Sequence, residues 1–153
     1  MMDDPDFHAA QRLTSRIRAL AVKDDYAGLL EIDVDPDTSR LLDLLSNDLA
    51  AAARVHLGAA RRWKQRKQAA NRRRLEEAGD ALAGFDLALT RGMLGRIEED
   101  WLRPEDAATR DDLLLRMEAR TMETEELNTL ASQALDEHRP RRRRRQRRRG
   151  HDS

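Results

Sequence analysis

The sequence predicts an all-α fold, an elongated bundle of five or six helices over residues 1–138 followed by a disordered arginine-rich tail over 139–153. Three observations predict it. Apolar residues recur at steps of three and four along most of the chain, the spacing that gathers side chains on one face of a helix. Helix-start signals, such as Asp4-Pro5 and Asp35-Pro36, stand where these stripes begin. No alternation rich in Val, Ile and Thr lasts beyond "EIDVD" at 31–35, so no strand is indicated.

The elements follow in order. Asp4 caps a first helix over 5–23, with Pro5 at its first position and Ala10, Leu13, Ile17 and Leu20 on its buried face. Asp24 caps a short helix through Leu30, and "EIDVDP" reads as an extended connection. Asp35-Pro36 opens a long helix whose apolar side carries Leu41, Leu42, Leu45, Leu49, Ala52, His56 and Trp63. Beyond Trp63 the stripe fails, because Lys67 and Arg74 fall on the would-be core side. Residues 61–74 are therefore either an exposed helix or a break. Leu82, Phe85, Leu89, Met93, Ile97 and Trp101 restart a stripe, and Pro104, having no N–H to donate, ends it. Thr109 with Asp112 starts the next helix, which carries Leu113, Leu114 and Met117. Thr124 starts another with Leu127, Leu130, Ala134 and Leu135, and Pro140 stops it. Gly92 and Gly95 read as sites of close helix approach, and no internal repeat is evident.

Composition narrows the function classes. The 153 residues include no cysteine, which removes disulfide scaffolds and thiolate chemistry and fits a reducing, intracellular compartment. The start "MMDDPDFHAA" lacks the apolar run of a secretory signal. No apolar stretch is long enough to span a membrane, so no membrane partner is expected. Net charge is zero, yet the charges are segregated. Residues 1–53 carry −6, 54–74 carry +9, 75–138 carry −11 and 139–153 carry +8. Such blocks pair within a chain, between chains, or with charged partners.

Little suggests catalysis. The four histidines have no metal-ligand spacing, and no phosphate loop, dinucleotide fingerprint or nucleophile elbow occurs. No enzyme activity, cofactor or metal is expected, and His56 reads as a core or interface histidine. The basic residues are the candidate nucleic-acid contacts. These are Arg61, Arg62, Lys64, Arg66, Lys67, Arg72, Arg73 and Arg74 in the cluster, and Arg141, Arg142, Arg143, Arg144, Arg145, Arg147, Arg148 and Arg149 in the tail. Trp63 sits among them, where an aromatic ring offers a stacking face, but it also lies on the core side. The tail resembles the arginine-rich motifs of viral RNA-binding peptides and nuclear import signals. A different reading of the same charges is a self-associating coiled-coil scaffold, with basic 54–74 of one copy against acidic 98–126 of another. Its association weakens as salt rises.

The stretch "LTRGMLGRIEEDW" at 89–101 resembles the signature helix of one subunit type of the GINS complex, a replicative-helicase accessory assembly. Arg91, Leu94, Arg96, Ile97, Glu98 and Trp101 carry the match, while Met93 and Gly95 depart from it. "YAGLLEIDVDPDTSRLLDLL" at 26–45 and "METEELNTLASQAL" at 122–135 are similar to two further family segments. The resemblance implies a non-enzymatic helical subunit of a hetero-oligomer, bridging the helicase and its activating partner, and nuclear in a eukaryote. Its implied partner interface comprises Leu82, Phe85, Leu89, Arg91, Leu94, Arg96, Ile97, Glu98 and Trp101. The family's small β-rich domain has no counterpart here, since arginines follow at 139.

Overall fold

The protein is all-α, as the sequence predicts. The computed structural model describes residues 4–151, with side chains for residues 4–137. Six helices and one 3-10 turn occur among the described residues, and no strand. They are α1 (Pro5–Val22), α2 (Tyr26–Val34), α3 (Pro36–Leu42), α4 (Asn47–Ala83), α5 (Leu87–Gly95), the turn Glu99–Trp101, and α6 (Pro104–His151). α6 runs through Pro140 to His151, past the stop expected there, while the side chains of the expected tail and residues 152–153 lie outside the described residues. The chain divides into two compact units, Met1–Ala70 and Asn71–Ser153.

In the first unit Asp4 caps α1 by accepting from the Asp6 N–H at 3.0 Å, and Pro5 follows at no hydrogen-bonding cost. Ala10 and Ile17 of α1, Leu29, Leu30 and Ile32 of α2, and Leu42 of α3 are buried. Ala50, Ala53, Leu57 and Ala60 supply the α4 face. Thr38, buried at the start of α3, donates its hydroxyl to the Ile32 carbonyl at 2.6 Å and so ties α2 to α3.

The second unit gathers Leu75, Ala78, Leu82, Leu94, Leu113 and Met117 into a core, with Leu87, Met93, Ile97, Leu102 and Leu114 packed around it. Two sharp turns share one plan. After α1, Asp24 takes φ 52°, the Asp25 N–H donates to the Leu20 carbonyl, and the Asp25 carboxylate accepts from Gly28 N at 2.9 Å. After α4, Phe85 takes φ 60°, the Asp86 N–H donates to the Ala81 carbonyl, and the Asp86 carboxylate accepts from Leu89 N at 3.0 Å. Each is a left-handed helix end followed at once by an aspartate cap. Each cap opens a nine-residue helix, α2 or α5, and the next α-helix begins with proline. This local repeat was invisible in sequence because "KDDYAGL" and "GFDLALT" share little beyond the capping aspartate.

Several boundaries differ from the sequence reading. "EIDV" is the end of α2 rather than an extended link, because Leu29, Leu30 and Ile32 are buried together; only Asp35, before Pro36, is extended. The long helix from 36 breaks at 43–46, and Ser46 restarts it with its Oγ 3.5 Å from Leu49 N. That break resets the phase, so the buried face of α4 is Ala50, Ala53 and Leu57, one residue on from Leu49, Ala52 and His56. There is no break at 61–74; α4 runs straight through. The stripe from Leu82 to Trp101 is not one helix but the end of α4, all of α5 and the 3-10 turn. Pro104 begins α6 rather than ending its predecessor, since a missing N–H costs nothing at a first helical position. Thr109 and Thr124 are not starts: each donates its hydroxyl to the carbonyl four residues back, Glu105 at 3.1 Å and Arg120 at 2.9 Å, inside α6. Gly92 and Gly95 are not close-approach sites, because a methyl group added at either would meet nothing within 4 Å.

Candidate functional site

The basic cluster lies on the middle of α4, and the fold uses half of it. Arg61 pairs with Asp33 at 3.1 Å. Lys67 stands 5.7 Å from the centre of the Trp63 ring, and that ring stacks on Tyr26 at 5.5 Å. Trp63 is therefore half-buried packing within the first unit, held between an aromatic ring and a cation. Arg72 reaches Glu76 at 4.0 Å, one turn on. Arg74 donates to the Arg96 carbonyl at 2.9 Å. Arg62, Arg66 and Arg73 are exposed and form no ion pair among the described residues, and Lys64 is half-buried. The tail arginines at 141–149 lie outside the residues whose side chains are described.

The residue that organises this region was missed in sequence. Asn71, inside "AANRRR", is fully buried. Its amide nitrogen donates to the Glu98 carbonyl at 2.9 Å and the Trp101 carbonyl at 3.1 Å, and its oxygen accepts from Glu98 N at 2.9 Å. One side chain thus takes the place that a partner strand or helix would hold for the backbone of 98–101. A signal existed: Asn71 continues backward the buried spacing of Leu75, Ala78 and Leu82. Arg110 closes the same turn from α6 by bonding Glu99 and Asp111. The Glu99 hydrogen bond, foremost, raises its guanidinium pKa above the usual value.

The nine residues expected to form a partner interface do not share a face. Leu82 and Leu94 are core, and Ile97 packs against that core. Glu98 and Trp101 are half-buried and held through their backbones by Asn71. Arg96 ends α5, and its carbonyl serves Arg74. Arg91, Leu89 and Phe85 are exposed, and the Arg120 guanidinium covers the Phe85 ring at 4.3 Å. His56 is half-buried beside Thr14 and Ile17, a packing position.

A longer exposed surface is on α6. Every residue from 122 to 137 is exposed. Met122, Leu127, Leu130 and Leu135 each keep 62–67% of their surface in water. An open groove along this helix is lined by Met122, Glu125, Glu126, Thr129, Leu130 and Gln133. Mixed apolar and acidic character along one helix suits a flanking helix that brings the opposite charge.

No family model, no curated protein and no solved structure matches the chain. The GINS assignment falls on that result, and with it the replication role and the nuclear placement. The structure agrees, because the signature stretch 89–101 is broken at Gly95 and does not form a helix of its own. No relative supports the nucleic-acid reading, and half of the α4 cluster is spent on Asp33, Trp63, Glu76 and the Arg96 carbonyl.

Proposed function

We propose that the chain is a non-enzymatic, self-associating helical scaffold that works by binding protein helices side to side. The observation that carries this reading is the exposed second half of α6. A helical segment with no packed face gains little stability from its own hydrogen bonds. Yet this one presents Met122, Leu127, Leu130 and Leu135 to water. Burying one such side chain fully yields about 1.5–3 kcal/mol, and because the four are spread around more than half of the helix, neighbours on more than one side of α6 are needed to collect that gain. The charge pattern supports association with like chains: the net charge is zero, so copies do not repel, while segregated blocks offer opposite surfaces.

Sedimentation equilibrium tests the proposal. The mass should exceed that of the monomer and rise with concentration. Replacing Leu127, Leu130 and Leu135 together by serine should return it towards monomer with little change in the helix signal. A chain that stays monomeric at every concentration and salt would overturn the reading.

A further inference from the structure

We infer that the basic strip of α4 in one copy seats on the acidic strip of α6 in a second copy. The inference rests on the scaffold reading and names one pair of its surfaces, on the Leu115–Met122 side of α6 rather than the side of Leu127, Leu130 and Leu135.

On α4, Val55, Ala59, Arg62, Arg66, Ala69 and Arg73 follow one another at steps of four and three. That spacing places them on one face of the helix. All are exposed except Ala59, which is half-buried. Arg62, Arg66 and Arg73 are exposed cluster arginines that form no ion pair among the described residues. Arg62 and Arg66, one turn apart, repel each other, and nothing among the described residues relieves this. Ala59 and Ala69 between them keep the strip low.

On α6, Leu115, Glu118, Met122, Glu125 and Thr129 follow at steps of three and four and are all exposed. Glu126 flanks them, and Glu118, Glu125 and Glu126 form no ion pair among the described residues. Leu115 is 67% exposed and Met122 63%. The two strips therefore match in period and oppose in charge. Those are the conditions for two helices to interlock along their length.

Charge complementarity selects a second copy as the occupant. Both halves of the pair are written in this one chain, +9 over 54–74 and −11 over 75–138. A nucleic acid would satisfy only the arginines. It would leave Leu115 and Met122 wet and would be repelled by the acidic block.

Charge exchange tests this in the full chain. Arg62→Glu with Arg66→Glu, and separately Glu125→Arg with Glu126→Arg, should each raise the self-association Kd about tenfold or more at low salt. Mixing the two variants should recover association, because the altered α4 of one then meets the altered α6 of the other. Carrying all four changes in one chain should recover it as well. Unchanged sedimentation in the swapped chains, while the triple serine variant dissociates, would overturn this inference and leave the scaffold reading standing. A parent chain that never associates would remove both. If the Arg62 and Arg66 reversal abolished retention of a DNA duplex but left sedimentation unaltered, the strip would serve nucleic acid and the inference would fail.

Discussion

Replacing Asn71 by alanine is expected to destabilise the second unit by about 3 kcal/mol. The substitution removes two donated bonds and two accepted ones at once, the second from Arg74 Nη1 at 3.4 Å. It strands the Trp101 carbonyl and the Glu98 N–H where α4 meets 98–101, and leaves the Glu98 carbonyl with the Trp101 N–H. A buried polar group left without a partner costs about 1–3 kcal/mol, and relaxation of 98–101 towards water limits the total. Asn71→Asp should rescue little, because an ionised carboxylate has no proton for either carbonyl. The two tryptophans divide between the units, Trp63 in the first and Trp101 in the second, which makes the measurement specific. Urea denaturation followed by Trp101 fluorescence in a Trp63→Phe background reads the second unit. A loss below about 1 kcal/mol would mean that this amide is not what holds 98–101 in place.

Leu29→Ala is the counterpart in the first unit, with an expected loss of about 3 kcal/mol. Leu29 is 1% exposed and belongs to a nine-residue helix too short to stand without its neighbours. Truncation leaves a cavity among α1, α2 and α3 that the rigid turns on both sides of α2 cannot close. Trp63 fluorescence in a Trp101→Phe background reports the change. Leu130→Ala is the control: Leu130 is 62% exposed, so the dilute monomer should lose less than about 0.5 kcal/mol. If both leucines cost the same in the monomer, the assignment of core and free surface is wrong.

Much of the fold could be read from local chemistry. The aspartate–proline starts of α1 and α3 were legible because a cap and a proline act within a few residues, and no distant contact alters their meaning. The stripe of Ala10, Leu13, Ile17 and Leu20 was legible for the same reason. Boundaries set by left-handed turns were not. Asp24 and Phe85 occupy positions where glycine is the usual signal, so "KDD" and "GFD" do not announce a turn. Missing the second of these joined α4 to α5 and misplaced Phe85 and Leu89 in a single stripe. Pro104 was seen, but its sign was reversed: proline marks a start as readily as a stop, and only the neighbouring turn decides.

The candidate site was legible only in its charges. The cluster at 61–74 could be located, but not which of its arginines are spent. Arg61 finds Asp33, and Arg74 finds the Arg96 carbonyl, across separations no local pattern encodes. The free arginines emerge by subtraction once the fold is known. Leu127 and Leu130 were placed on a helix from their spacing, and their spacing alone suggested a buried face. That they are wet depends on which helices lie near α6.

The two left-handed turns also leave room for engineering. Aspartate at 24 and phenylalanine at 85 hold a backbone conformation in which a β-carbon crowds the following carbonyl, so each turn is tuned below the ceiling its geometry permits. At position 24, glycine would keep both backbone bonds while shedding that crowding. A laboratory seeking a sturdier variant could begin there without touching any surface assigned to assembly.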